Sequence, residues 1–286
     1  MKVFEAFGKK LVKGDVGIEI EVEGARLPTQ DNLTMWRVER DGSLRGNSSE
    51  YVLKGPMTLN NARAALNELD YLYNIKRTEV YNSVRAGVHV HINVQGLTIK
   101  QLFNYVVAYI LLEETLVSWC GPSRKGNLFC LRTIDADYIV PFIKAALQNK
   151  RFNMFNDDEI RYCSINLKAL TNYGSLEFRA MHGTRDLSRV LCWTETLLNI
   201  REVSKEYANP VQIVEEFFNN PYKVARELIG PNTPLFLQGE INLRGTPRIA
   251  NDIAHAINWD SLSCKNIGGL YFPDDIDFPQ EPLEDF

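Results

Sequence analysis

Ionisable side chains occur three times as pairs separated by a single apolar residue. The pairs are Glu19 with Glu21, His89 with His91, and Glu177 with Arg179. In a β-strand, residues two apart project from the same face, roughly 6.5–7 Å from each other. Each pair would then present both functional groups to one side of a sheet, where carboxylates and imidazoles can bind divalent cations.

Each pair taken alone has a simpler interpretation. Glu19 and Glu21 on the outer face of an alternating strand are typical of an ordinary half-exposed strand. Glu177 and Arg179 could form an exposed ion pair, which contributes little stability. The two histidines carry more weight, because the chain contains 4 histidines and half of them form this pair.

These strands predict a metal site if their polar faces align in one sheet. The carboxylates that would then converge are Glu19, Glu21, Glu50 and Glu177. Crowded carboxylates need either large pKa shifts or a compensating cation. Oxygen-rich ligation suits Mg²⁺ or Mn²⁺, and Mn²⁺ in particular tolerates one imidazole. Because Arg179 shares this face, we expect a site that handles phosphate groups.

Apolar periodicity predicts the elements that carry these residues. Strict or loose alternation predicts strands at residues 15–23, 34–40, 88–94 and 175–180. Residues 50–53 could form a further strand that returns beside 34–40 after the turn signal at Asp41-Gly42. Apolar residues at spacings of three and four predict a helix from Leu59 capped by Thr58, a long helix from Ile99 capped by Thr98, a helix over 186–207, and one or two more over 210–228. Antiparallel strands with helices on one face make an α+β domain.

The recurring pattern ends near residue 208. We therefore expect a catalytic domain at residues 1–208 and a helical C-terminal appendage at residues 209–286. The end of the appendage, residues 274–286, combines prolines with six acidic residues and is predicted to be an extended, solvated tail.

Charge and composition exclude several classes of protein. The net charge of -4 gives no reason to expect general affinity for nucleic acid or for an anionic membrane. The N-terminus lacks the apolar core of a signal peptide, and the most apolar stretch, residues 106–112, is too short to span a bilayer. The 5 cysteines are scattered without a C-x-x-C pair, which argues against structural zinc and predicts reduced thiols in a cytoplasmic protein.

Familiar nucleotide-binding loops are also missing. The sequence has no G-x-x-x-x-G-K-[ST] loop and no Rossmann glycine motif, so an ATP site would have to be of another type. Residues 121–126 form a basic Gly-Pro-Ser-Arg-Lys-Gly loop, which we interpret as a helix-ending turn, with a phosphate or acidic-substrate clamp as the alternative.

Four segments together resemble the motifs of a known family. They are Gly17–Glu21 (G-x-E-x-E), Asp41–Ser43 with Glu50 (D-x-S…E), Gly87–His91 (G-x-H-[VI]-H), and Arg161, Asn166 and Gly174–Arg179 (R…N…G-[ST]-x-E-F-R). In this order they resemble the carboxylate–amine ligases related to glutamine synthetase and glutamate–cysteine ligase, and most closely the amidoligase family of bacteria and phages. The resemblance covers about residues 15–200.

The resemblance implies a fold, cofactors and residue roles. The fold would be a twisted antiparallel sheet, curved into a half-barrel like that of glutamine synthetase, around ATP and two or three Mg²⁺ or Mn²⁺ ions. The implied metal ligands are Glu19, His89 and Glu177 for one site and Glu21 and Glu50 for the other. His91 would approach the nucleotide phosphates, Arg179 the transferred phosphoryl group, and Arg161 a phosphate or carboxylate. Asn166 would be structural.

One segment departs from the family pattern. The family usually has Ser-Pro very soon after the Glu of its second segment, whereas five residues separate Glu50 from Pro56 here. Glu39 and Asp41 are therefore alternatives to Glu50 as metal ligands.

The implied activity is the ATP-dependent joining of a small-molecule or peptide carboxylate to an amine through an acyl phosphate. Two other functions remain open at this point. A metal-dependent hydrolase or nuclease could use the same acidic and histidine residues to activate water, and a binding module could retain the sheet without turnover. Neither the substrates nor the oligomeric state follows from the sequence.

Overall fold

A computed structural model describes residues 1–239, 241, 243 and 245–262. The strands are β1 (Val16–Ala25), β2 (Trp36–Glu39), β3 (Ser48–Leu53), β4 (Glu79–Val80), β5 (Gly87–Asn93), β6 (Ile165–Asn166) and β7 (Ser175–His182). The helices are α1 (Val3–Ala6), α2 (Leu59–Ile75), α3 (Ile99–Cys120), α4 (Ile139–Asn149), α5 (Lys168–Asn172), α6 (Leu187–Ser204), α7 (Pro210–Asn219), α8 (Pro221–Ile229), α9 (Thr233–Phe236) and α10 (Thr246–Ala254).

The described strands form one antiparallel sheet in the order β2-β3-β1-β5-β7-β6, and β4 pairs with the end of β1. The sheet is open and does not close into a barrel. The strands predicted at 15–23, 34–40, 50–53, 88–94 and 175–180 are confirmed as β1, β2, β3, β5 and β7. The α+β arrangement is confirmed, whereas likeness to the glutamine synthetase fold stays a prediction.

Helices α2, α3 and α6 pack on the apolar face of the sheet. Alternation buries Val16, Ile18, Ile20 and Val22 of β1 on this face, as predicted. The ring centroid of Phe178 on β7 lies 5.4 Å from that of Tyr105 and 4.8 Å from that of Tyr109, both on α3. Because the helices cover this face, the ionisable side chains of the same strands are directed to the opposite face.

The predicted helix starts are confirmed by their caps. Thr58 and Thr98 each accept a hydrogen bond from the backbone three residues on, and Asp186 caps α6. The segment 210–228 forms two helices, α7 and α8, because Asn220-Pro221 ends one and begins the next. The sequence patterns did not predict α4, whose Pro141 lies in its first turn.

The segment after residue 208 packs against the rest of the chain through α7 and α10, both of which contact α3. The division into domains at 208 stays a prediction. The predicted acidic tail at 274–286 and Cys264 lie outside the described residues. The other cysteines are free, three of them buried. Among the described residues, no helix combines the length and the apolar character needed to cross a bilayer.

A β-bulge interrupts β7 where it pairs with β5. The register runs from Val90 opposite Phe178 to Val88 opposite Met181. Two residues of β7, Arg179 and Ala180, therefore face the single residue His89. Bulges of this kind redirect side chains next to functional sites, and this one places Arg179 beside His89.

Candidate metal and phosphate site

Strand register brings the predicted site residues together on the polar face of the sheet. Glu21 of β1 lies opposite Glu50 of β3, and Glu50 in turn lies opposite Glu39 of β2. On the other side of β1, Glu19 lies opposite His89. His91 lies opposite Glu177 across β5 and β7. The motifs are distant in sequence, but their strands are direct neighbours.

One group of candidate metal ligands consists of Glu19, His91 and Glu177. One ligand atom from each residue lies within 4.8 Å of the other two. His91 Nε2 lies 3.4 Å from a Glu19 oxygen, and His91 Nδ1 lies 3.1 Å from the Ser175 hydroxyl. The Ser175 contact orients the imidazole so that its other nitrogen is directed toward the carboxylates.

A second group consists of Glu21, Asp41 and Glu50, whose oxygens also lie within 4.8 Å of one another. Asp41 is in the loop after β2, where its carboxylate accepts a hydrogen bond from the Ser43 amide (2.5 Å). This contact belongs to the Asp-Gly-Ser turn and holds the carboxylate next to the sheet. Of the two alternatives to Glu50, Asp41 joins Glu50 in this group, and Glu39 is not part of it.

His89 lies between the two groups. Its Nδ1 is 3.2 Å from Glu19 and 3.7 Å from Glu177, while its Nε2 is 3.7 Å from Glu21. His91 belongs to the first group, while His89 also lies close to Glu19 and Glu177, so its expected role as a metal ligand with these two carboxylates stays a prediction. His89 contacts carboxylates of both groups, so its imidazole links them.

Arg179 brings a positive charge to the first group. Its Nη1 forms an ion pair with Glu177 Oε1 and lies 3.5 Å from His89 Nδ1. The other Glu177 oxygen accepts a hydrogen bond of 2.5 Å from the Asn166 amide. Asn166 therefore acts as a support for a candidate ligand, in line with the structural role expected for it.

Burial and mutual repulsion shift the carboxylate pKa values. Burial, followed by the negative charges of Glu19 and Glu21, raises the pKa of Glu50 to about 8. Burial also raises the pKa of Glu21. For Glu19, burial is outweighed by hydrogen bonds from His89 and His91, which lower its pKa. For Glu177, burial is outweighed by the charge of Arg179, which also lowers the pKa.

These residues fit hard divalent cations. The second group offers only carboxylate oxygens, and the first offers two carboxylates and one imidazole, a donor set that suits Mg²⁺ or Mn²⁺. Burial and then the neighbouring carboxylates raise the pKa of Glu50, and a bound cation would offset both effects.

The locations of Arg161 and Arg124 could not be predicted from sequence patterns. Arg161, expected to contact phosphate or carboxylate, is exposed in a 3-10 turn, with its guanidinium 5.1 Å from the ring centroid of Tyr162. Within the described residues it has no hydrogen bond or ion pair to either carboxylate group. Arg124, from the basic loop interpreted as a turn, is buried against the site, and only its basic character signalled this in the sequence.

A cavity of about 190 Å³ opens beside the first group. Gly17, Glu19 and His91 line this cavity, and a Cβ added to Gly17 would lie only 3.3 Å from that of His91. Val52 and the exposed Tyr173 are among its walls. The candidate metal ligands therefore border a space into which a ligand can enter.

The chain belongs to the family described as "Putative amidoligase enzyme", whose model matches residues 29–201. This membership confirms the suspected family and supports an enzyme that forms amide bonds. The match begins after β1, so Glu19 and Glu21 precede it and join the site through pairing of β1 with β3 and β5. No curated protein matches the chain significantly.

Proposed function

We propose that this protein is an ATP- and Mg²⁺-dependent carboxylate–amine ligase that works through an acyl-phosphate intermediate. The observation that carries the proposal is the convergence of two acidic groups, Glu19–His91–Glu177 and Glu21–Asp41–Glu50, on one sheet face with Arg179 beside them. Membership of an amidoligase family supports the type of bond that is formed.

The proposed reaction has two steps. A substrate carboxylate oxygen attacks the γ-phosphorus of ATP, and ADP leaves. The nitrogen of an amine then attacks the acyl carbon, the bond between this carbon and the phosphate oxygen breaks, phosphate leaves with the electron pair, and the nitrogen loses a proton. The products are an amide, ADP and phosphate. The carboxylate and the amine are small molecules or peptides.

Each candidate residue would have its own role in this reaction. Each acidic group would hold a Mg²⁺ or Mn²⁺ ion, which supplies charge neutralisation at the phosphate oxygens. Arg179, fixed by Glu177, would donate hydrogen bonds to the transferring phosphoryl group, where negative charge is concentrated. His89 and His91 would orient the carboxylates and contact phosphate oxygens.

Amine-dependent release of ADP tests the proposal. The purified protein is incubated with Mg²⁺, ATP and pooled carboxylates and amines, and ADP and new amides are measured by coupled assay and mass spectrometry. We expect ADP and amide in equal amounts, and only when both pools are present. Cleavage of an ester, amide or phosphodiester without ATP would instead support the metal-dependent hydrolase or nuclease. ATP binding without turnover across broad pools would support a binding module.

A further inference from the structure

The bulge in β7 leaves Arg179 and Ala180 outside the regular pairing of β7 with β5. The Arg179 amide donates to the carbonyl oxygen of Ser164 at 2.8 Å. The carbonyl oxygens of Arg179 and Ala180 accept hydrogen bonds from one side chain, that of Arg124, through Nη2 (2.7 Å) and Nε (3.2 Å). The planar guanidinium of Arg124 thus bridges both carbonyls of the bulge.

Arg124 is buried although it belongs to a surface turn. It ends the 3-10 helix Pro122–Arg124, and its neighbours Lys125 and Gly126 are exposed, yet Arg124 is 1% exposed. Its Nη1 has no hydrogen-bond partner among the described residues. Burying a guanidinium is costly unless its hydrogen bonds compensate. A turn that served only to end α3 would leave this side chain in water.

The Arg124 guanidinium also lies against the metal-ligand side chains. A Cβ placed on Gly87 would lie 3.2 Å from Arg124 Nη2, 3.1 Å from His89 Nε2 and 3.5 Å from Glu21 Oε2. The three groups therefore meet over the one position of β5 that has no side chain. Arg124 therefore contacts the backbone of the bulge and also lies beside the side chains of the candidate site.

We propose that Arg124 is a positioning residue that holds the bulge of β7 so that the Arg179 side chain is directed at Glu177 and His89. The direction of a bulge residue depends on the contacts of its backbone, and Arg124 donates a hydrogen bond to each of the two carbonyl oxygens of the bulge. The role of Arg179 in phosphoryl transfer rests on the proposed function. The positioning of the Arg179 side chain by Arg124 does not rest on the proposed function and can be measured separately.

Arg124→Lys is the informative variant. Lysine keeps the positive charge but cannot bridge two carbonyls with a planar fork. The placement of Arg179 is read from the NMR resonance of its Nε–H, which donates to the Phe129 carbonyl oxygen at 3.3 Å. The resonance that disappears in the Arg179→Lys variant is assigned to the Arg179 Nε–H. Lys125→Met, in the same turn but exposed, is the matched control.

In Arg124→Lys we expect the Arg179 Nε–H resonance to shift or broaden. We expect kcat to fall about 100-fold, as for small misplacements of a catalytic group, while the KM for ATP changes less than about threefold. Lys125→Met should match the wild type in both measurements. If Arg124→Lys does not fold, Arg124→Gly is measured with guanidinium ions added. Guanidinium, but not ammonium, should restore the resonance and kcat, because only guanidinium has the planar fork.

An unchanged Arg179 resonance in Arg124→Lys, or in Arg124→Gly without guanidinium, would overturn the inference, whatever the activity. A shifted resonance with wild-type kcat would overturn it as well, because the direction of Arg179 would then not matter for turnover. If the wild type forms no amide while the resonance shifts, the proposed function fails and the placement of Arg179 by Arg124 stands.

Discussion

Glu21 and Glu50 lie directly opposite each other on β1 and β3, and Asp41 brings a third carboxylate to the same point. Like charges directly opposite on neighbouring strands destabilise a sheet. Here burial and the neighbouring carboxylates raise the pKa of Glu50 to about 8, so that Glu50 binds a proton at neutral pH when no cation is present.

Binding of Mn²⁺ should therefore release a proton from Glu50. Below pH 8 the metal must displace this proton, so affinity should rise as the pH increases from 6.5 toward about 8. Calorimetry at pH 7 in buffers of different ionisation enthalpy counts the protons released. We expect Glu50→Gln to release about one proton fewer than the wild type. Equal proton release in both proteins would contradict this role of Glu50.

Asp41 and Glu39 should differ sharply as metal ligands. Asp41 is in the group with Glu21 and Glu50, whereas Glu39 is exposed on β2 and contacts Arg37. We expect Asp41→Asn to weaken Mn²⁺ binding about 10-fold or more, and Glu39→Gln to change it less than about twofold. Titration calorimetry measures both. A larger effect for Glu39→Gln would show that the loop is arranged differently around the ion.

Glu177→Gln should abolish turnover while the fold persists. The amide keeps an oxygen that accepts from Asn166, but removes the charge that pairs with Arg179 and faces the first group. Arg179 retains Glu21 and Glu19 as nearby negative charges. We expect ADP formation to fall more than about 100-fold with a nearly unchanged melting curve. Glu79→Gln, at an exposed position of β4, is the control. Wild-type activity in Glu177→Gln would refute the assignment of Glu177 to the active site.

Glu113 should make stability depend on pH. This carboxyl of α3 is buried and accepts hydrogen bonds from Thr133 and Ser164, and burial raises its pKa to about 7. Its folded-state pKa exceeds the unfolded value of 4.5. The folded state therefore binds more protons, and stability falls as the pH rises from about 4.5 to about 7.

From pH 5 to pH 8, the titration of Glu113 alone should lower the free energy of unfolding by about 2 to 3 kcal/mol. Urea unfolding of the wild type and of Glu113→Gln at both pH values measures the difference. The stability of Glu113→Gln relative to the wild type should rise by this amount between pH 5 and pH 8. A parallel pH dependence in the two proteins would show that Glu113 titrates normally.

The site could be predicted from sequence because its residues follow strand alternation. Glu19, Glu21, His89 and Glu177 occupy every second position of strands with buried apolar neighbours. Pairing these strands with their polar faces aligned was sufficient to bring the carboxylates together. Glu50 was expected there from the family resemblance of its segment, and pairing of β3 with β1 brings it opposite Glu21.

Other features depend on contacts that sequence spacing does not encode. The bulge at Arg179 shifts the register of β7 against β5 by one residue. Arg124 belongs to a turn outside the sheet, and its long side chain reaches the backbone of Arg179. Helix α4 was missed, and β6, with 2 residues, is too short to show alternation. His89 lies opposite Glu19 and His91 lies opposite Glu177, so which of the two histidines is nearer to each carboxylate depends on the strand register.

Crystals grown with Mn²⁺ and a non-hydrolysable ATP analogue test the central claim most directly. Anomalous scattering at the manganese edge locates each ion without regard to activity. We expect one peak among Glu19, His91 and Glu177 and a second among Glu21, Asp41 and Glu50, with the triphosphate next to Arg179. At saturating Mn²⁺, the absence of peaks from this face of the sheet would contradict the proposal.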